Sequence, residues 1–383
     1  MELYIHIPFC IRKCASCAFD SFAGCSSGEM EEYTSAILRE ASQRVSLVPE
    51  RIETVYIGGG TPSLLPADLL EHLVSSLKSI FDMSSVLEFT VEANPGTVSN
   101  KWFDKALDCG INRISFGVQA VQDHLLKTLG RIHRFQDAYQ SVIDARQCGF
   151  RNINTDLIFG IPGQTMSDWR RTLDDIIALS PSHISAYGLI PEKGTPLYRE
   201  LEKGLLSLPD PETERNMYDT AIQMLTKSGY NQYEISNFAS TGFQCRHNIG
   251  YWDQVPYLGL GLSAASMIRQ NGENDLFSVR WTNPGNMNDY YRLVNHPEEL
   301  EQLKEGISTE EARFETVMLS LRMTEGMRRG RFTELHGNVP EYWYGSVLEK
   351  MKEQGLMDLK EDSWRLTRRG MDIQNSVLLE FMD

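Results

Sequence analysis

The sequence predicts an α/β fold: a curved or closed β/α barrel of six strand–helix units, followed by a smaller, mostly helical domain. Two observations predict the barrel. Short β-rich runs alternate with amphipathic stretches, and a glycine repeatedly marks the way back into the next strand. No six-strand dinucleotide-binding fingerprint accompanies them, which disfavours a doubly wound sheet. A third observation sets off the second domain: from about residue 306 the alternation gives way to helical periodicity.

Taken in order, the strand runs are LYIHIPF (3–9), TVYIGGG (54–60), LEFTVEANP (87–95), NRISFGVQA (112–120), NINTDLIFG (152–160) and HISAYGLIP (183–191). Their near-continuous apolar character is that of a parallel sheet covered on both faces. Between them, ADLLEHLVSSLKSIF (67–81), FQDAYQSVIDARQCG (135–149) and MSDWRRTLDDIIALS (166–180) carry the apolar spacing of one helix face. Gly110, Gly149 and Gly229 stand where left-handed helix C-caps are needed. The strands end in a cysteine loop, GGGTPS, EANPGT, GVQA, GIPGQT and LIPEKGTP. Strand C-termini are where β/α barrels place their chemistry, so a large binding site is expected on that rim.

The expected organisation is a barrel over 1–240, a connecting segment over 241–305 and a C-terminal domain over 306–383. The connecting segment holds CRHNIGYWDQVPYLGLGLSAAS (245–266), glycine- and aromatic-rich and plainly neither helical nor extended. The C-terminal part reads as helices over 309–323, 344–357 and 371–382, with a short strand pair around the basic turn RLTRRG. That pattern is winged-helix-like, and it reads as a structural lid because no long basic recognition helix is present.

Bulk properties narrow the function classes. The chain has 383 residues, enough for two domains or three, and a net charge of −15 that argues against a general nucleic-acid or anionic-membrane binder. No apolar run has membrane-spanning length and no signal-peptide pattern opens the chain. Seven cysteines, an odd number without an export signal, point to a reducing compartment, so a cytoplasmic location is expected.

Three of the seven fall at Cys10, Cys14 and Cys17, a C-x3-C-x2-C spacing that lets three thiolates face one small volume. Thiolates are the preferred ligands of iron–sulfur clusters, and a [4Fe–4S] cube held by three of them keeps one iron open to a small molecule. Zinc, with Cys25 as fourth ligand, and unliganded structural cysteines are the alternatives.

This cysteine motif, followed by GGGTPS after the second strand, resembles the radical S-adenosylmethionine superfamily. With GVQ, DLIFGIPGQT and HNIGYW it is similar to the coproporphyrinogen-oxidase-like branch, from Tyr4 to the final helix. The resemblance implies a partial (β/α)6 barrel with a [4Fe–4S] cluster on Cys10, Cys14 and Cys17. It also implies S-adenosylmethionine contacts from Gly58, Gly59, Gly60 and Thr61 at the methionine end, and from Glu92 and Gln119. Arg131 would face the carboxylate and Asp156 the ribose, with Tyr4, Ser16 and the backbone near Ile190 completing the pocket. Singly, each has a plain structural reading; Asp156 could cap a turn and Arg131 could be a surface cation.

Two functions compete. One is an oxygen-independent coproporphyrinogen III oxidase; the other is a heme chaperone that binds heme and transfers it to an apo-protein. The oxidases of the branch carry a further cysteine where Phe19 stands, and an N-terminal extension ahead of the cluster motif. The stretch 247–252 matches the H-N-x-x-Y-W motif that the resemblance associates with heme in the chaperones. His247 is a candidate ligand, Cys245 a second, and Tyr251 and Trp252 offer faces to a porphyrin. The plainer reading is that His247 fixes a turn and the two aromatics fill a seam. The chaperone is the expected function, with heme, an unidentified accepting apo-protein and an electron donor as partners. A homodimer is left open, and nucleic acid is not expected.

Overall fold

Six parallel strands form where the apolar runs lie: β1 (Glu2–Ile7), β2 (Thr54–Gly59), β3 (Glu88–Ala93), β4 (Arg113–Gln119), β5 (Asn152–Phe159) and β6 (His183–Gly188). The computed structural model describes residues 1–48, 51–270 and 275–382. On β1 the alternate residues Leu3, Ile5 and Ile7 are wholly buried in the main core, while Tyr4 and His6 face the barrel interior. The helices follow from their apolar spacing and caps. Leu70, Leu73, Val74 and Leu77 form the buried stripe of Ala67–Ile80, and Thr165 with Asp168 makes a capping box for Met166–Leu179. Gly110, Gly149 and Gly229 have φ of +82°, +124° and +90°.

The sheet does not stop at β6. It runs on through β7 (Asn231–Gln232), β8 (Asn237–Ala239), β9 (Tyr257–Leu260), β10 (Ala265–Arg269), β11 (Leu276–Thr282) and β12 (Glu305–Ser308). Its twelve strands follow the order β12-β11-β10-β9-β1-β2-β3-β4-β5-β6-β8-β7. That order is linear, so the barrel is open. β9 pairs parallel with the free edge of β1, Tyr257 beside Glu2, and β10–β12 continue antiparallel. Residues 241–305, expected to connect, thus build a flank of the barrel sheet. Between β8 and β9, Arg246–Trp252 forms a short helix.

The C-terminal part has its own apolar core around Phe332, Met351 and Trp364. It comprises the helices Thr309–Ser320, Arg329–His336 and Pro340–Glu353 and a three-stranded antiparallel sheet of Met327–Arg328, Ser363–Leu366 and Met357–Lys360. The hairpin turns at Glu361 and Asp362, both with positive φ. RLTRRG is therefore not the turn: Arg365 and Leu366 end a strand, and Thr367 caps the helix Arg368–Asp372. The helix expected over 371–382 is instead two short ones, the second Gln374–Leu379. Arg328 to Asp253 (2.6 Å) and Thr316 to Gln254 (2.5 Å) tie this part to the barrel.

One buried charge fixes the first helix, Ser27–Arg44, against that flank. Glu40 is fully buried and pairs with Arg44 at 2.6 Å. Its oxygens also accept from Gly261 N–H (2.8 Å), Tyr290 O–H (2.7 Å) and Asn283 (2.7 Å). Removing the carboxylate strands Arg44 without its charge partner, so Glu40→Ala is expected to cost about 3–5 kcal/mol in denaturant unfolding. A loss below about 1 kcal/mol would show that Glu40 is not what anchors this helix.

Candidate functional site

The cysteine loop is shaped by main-chain bonds. The short strand Phe9–Cys10 pairs with Phe22–Ala23, and Phe22 N–H donates to Pro8 (2.7 Å). At the loop's centre Ala15 N–H donates to Leu129 (2.9 Å), and its carbonyl accepts from Leu197 N–H (2.9 Å). Cys10, Cys14 and Cys17 are half-exposed free thiols. Burial pushes the Cys17 thiol up, with Cys14 and Cys10 adding to it, as neighbouring sulfurs in one small region must. Ser16 sits half-buried between the last two. Among the described residues no three His, Cys, Asp or Glu side chains gather as they would around a single ion. A cube binds each thiolate to a different iron, so its ligands need not meet at a point.

Around this loop the strand ends supply a polar ring. Arg131 donates from Nη1 to Cys14 Sγ (3.3 Å) and from Nη2 to Asn94 Oδ1 (2.6 Å) and the Gly117 carbonyl (2.7 Å). Asn94 in turn donates to Thr61 Oγ1 (2.7 Å), whose hydroxyl lies 3.6 Å from Cys10 Sγ. Arg131 is thus no loose surface cation. The glycine triplet has a reason within the chain itself: a Cβ on Gly59 (φ +114°) would meet the His6 ring at 2.6 Å, and one on Gly60 the Phe9 carbonyl at 2.7 Å. These glycines let the end of β2 close onto β1 and the cysteine loop.

Glu92 accepts from Tyr56 O–H (2.8 Å) and Gly59 N–H (3.0 Å). Burial nevertheless pushes its carboxyl up to about 7. Gln119 stands at a register shift between β4 and β5 with φ of +69°, a strained backbone of the kind functional sites retain. Asp156 lies within β5 and not at a turn; it accepts from Ser115 O–H and Asn154 Nδ2, both at 2.8 Å. Ile190, in the loop after β6, is 71% exposed.

The HNIGYW stretch lies away from this rim, in the helix Arg246–Trp252, against the starts of β2 and β3. Glu88, the first residue of β3, accepts from the backbone N–H of Arg246 (3.1 Å) and His247 (3.2 Å) and from the Cys245 thiol (3.4 Å). His247 is 1% exposed. Its Nδ1 is 2.8 Å from Thr54 Oγ1, its Nε2 is 3.0 Å from Tyr251 O–H, and its ring stacks on Tyr56 with centroids 5.2 Å apart. Burial, with Arg113 nearby, pushes its pKa down to about 3. In this conformation neither His247 nitrogen nor the buried Cys245 sulfur is open to an iron. Tyr251 and Trp252 do reach a ligand-sized space.

That space is a cavity of about 670 Å³, within the usual range for small-molecule sites. Phe19 and Asp20, just past the cysteine loop, line it together with Tyr4 and His6 of β1 and with Tyr251 and Trp252. β10 and β11 contribute Met267 and Arg280, and the helix Thr309–Ser320 contributes Glu315, Met318 and Leu319. One chamber therefore joins the segment just past the cysteine loop to the HNIGYW helix. Sequence reasoning missed Tyr56, Asn94 and Glu88, although Asn94 lies in the quoted strand end EANPGT. Arg280 and Glu315 had no local signal; only tertiary pairing brings them to the chamber.

Comparison with known proteins bears on the family and the fold. Residues 4–176 match the Radical SAM superfamily, and residues 307–373 match the HemN C-terminal domain. The chain is 35% identical over 381 residues to the heme chaperone HemW of Bacillus subtilis, covering 99% of this chain and 98% of that one. It is 33% identical over 384 residues to the Escherichia coli heme chaperone HemW, covering 100% and 98%. Among solved structures, E. coli coproporphyrinogen III oxidase (HemN) has the same fold, with a TM-score of 0.82 and 23% identity over 99% of this chain and 89% of that one.

The Tyr56–Glu92 bond is open to a direct check. The Glu92 carboxyl should titrate near 7 in pH-difference infrared spectra. Tyr56→Phe removes a donor that favours the carboxylate, so it should move that titration further up. A downward move would show that Tyr56 does not donate to the ionised form.

Proposed function

The chain belongs to the HemW family, and from that premise we propose that it is a heme chaperone, carrying heme and handing it to an apo-protein in the cytoplasm. The observation that carries this reading is the chamber that runs from the segment just past the cysteine loop to Tyr251 and Trp252. Aromatic faces and thioethers make a wall suited to a flat, apolar macrocycle.

Cys10, Cys14 and Cys17 would hold a [4Fe–4S] cluster, the donor set such a cluster prefers. Gly58, Gly59, Gly60, Thr61, Glu92, Gln119, Arg131 and Asp156 would surround S-adenosylmethionine, with Tyr4, Ser16 and the backbone at Ile190. A cluster held there would supply one-electron reduction toward the S-adenosylmethionine sulfonium, with an electron donor as its source. The protein's own part is positional. Arg131 sets a charge-bearing donor against Cys14 and is braced by Asn94 and Gly117. Glu92, ionised above about pH 7, places a negative charge beside Gly59. In the HNIGYW motif, His247 is the brace and Tyr251 and Trp252 are the wall.

Three outcomes check this reading. Cys14→Ala should abolish the broad absorbance of an anaerobically reconstituted cluster; retained absorbance would remove Cys14 from the ligand set. Stoichiometric heme should titrate onto the wild-type chain, and Trp252→Ala should weaken that binding about tenfold, whereas His247→Gln should leave the Soret maximum where it was. A displaced maximum would mean that His247 turns to the iron. With reductant, S-adenosylmethionine and coproporphyrinogen III, no protoporphyrinogen should form; catalytic turnover would establish the oxidase instead.

A further inference from the structure

Arg280 sits where the chamber meets the C-terminal helix Thr309–Ser320. It projects from β11, and its Nη1 and Nη2 donate to the two oxygens of Glu315 at 3.0 and 2.8 Å. This is a fork-on-fork pair, the geometry in which arginine recognises any carboxylate. The two side chains are 35% and 20% exposed. The third guanidinium donor, Nε, is buried and makes no hydrogen bond among the described residues. Both residues line the chamber, and Arg280 is the one Lys or Arg among the described residues that do. His6, also in the wall, is kept neutral by burial, which lowers its pKa. The chamber's fixed positive charge is thus already matched by a carboxylate from the chain itself.

This arrangement bears on which ligand the chamber takes. Heme is a flat apolar ring carrying two propionate carboxylates. Tyr251, Trp252, Met267 and Met318 suit the ring, but none of them carries a positive charge to match a carboxylate. Moving a carboxylate into an apolar chamber without a cation is strongly unfavourable. Resting on the heme reading above, we propose that Arg280 is the anchor for a heme propionate, which displaces Glu315 from the guanidinium. Glu315 acts as the internal competitor: it keeps Arg280 aimed along the chamber wall, a carboxylate ligand must displace it, and a ligand without a carboxylate leaves the pair in place and gains nothing from Arg280. The pair is partly solvated, so its own strength is modest and exchange is feasible.

The test compares heme with iron protoporphyrin IX dimethyl ester, which has the same ring and metal but no free carboxylate. Both are titrated onto the full-length wild type, Arg280→Met and Glu315→Gln, followed by the Soret band. Wild type should prefer heme by about tenfold or more. Arg280→Met should lose that preference by weakening heme alone, and Glu315→Gln should tighten heme several-fold with the ester unchanged. Arg280→Met leaves Glu315 without its partner, so the double variant Arg280→Met/Glu315→Leu, which leaves no unpaired charge, must show the same lost preference. If wild type binds both probes equally well, the heme reading stands and the Arg280 assignment falls. Preference surviving in the double variant, or Glu315→Gln weakening heme, also overturns it. If wild type binds neither probe, the heme reading itself falls.

Discussion

A sheet that curls without closing has to cover its own inner face, and in this chain the cover is held down by one carboxylate. Glu88 reaches from the start of β3 to the N-terminus of a seven-residue helix and takes two backbone N–H groups and a thiol. A helix that short has no stability of its own in water. Charge-assisted bonds to its unpaired N–H groups, reinforced by the helix dipole, keep it in place. Once it is seated, His247 meets Thr54, and Tyr251 and Trp252 are carried into the chamber wall.

A second set of polar contacts links this helix to the opposite rim. Asp156 is bonded to Asn154, Asn154 Oδ1 lies 2.6 Å from His183, and His183 Nε2 lies 2.8 Å from Tyr233 O–H. Tyr233 then accepts from Cys245 N–H at 3.3 Å. His183 is kept neutral by burial. Such networks stabilise only when each member is satisfied, so a change at His183 is felt both at Asp156 and at the HNIGYW helix. A parallel route runs from His247 through the stacked Tyr56 ring to Glu92 and Gly59. The motif and the rim are therefore mechanically one structure, although they lie at different ends of the strands.

The six barrel strands were legible because parallel strands buried on both faces are written as continuous apolar runs, and the rim followed from their ends. Residues 257–308 were not, because their strands are short and β9 finds its partner more than two hundred residues away, at Glu2. Sequence spacing carries no record of such pairing. The C-terminal hairpin was misplaced because basic residues were taken as the turn, whereas the backbone turns at Glu361 and Asp362, two non-glycine residues in the left-handed region. For the site, the family resemblance named Arg131, Thr61 and Glu92 together; in the structure Arg131 and Thr61 share Asn94, and Glu92 accepts from Gly59. The resemblance did not show that the glycine triplet accommodates His6 and Phe9, nor that both nitrogens of His247 are already engaged. Those facts depend on packing at tenths of an ångström.

The cysteine loop's main-chain ties have a consequence for how the protein meets its metal. Ala15 is bonded on both sides, to Leu129 and to Leu197, and Phe22 to Pro8, all without any sulfur taking part. In small zinc domains the ion is the core, and the chain unravels when it leaves. Here the scaffold belongs to a large hydrophobic interior and the ligands are mounted on it afterwards. Loss of a cluster held on Cys10, Cys14 and Cys17 would then empty the loop while sparing the architecture that shapes it.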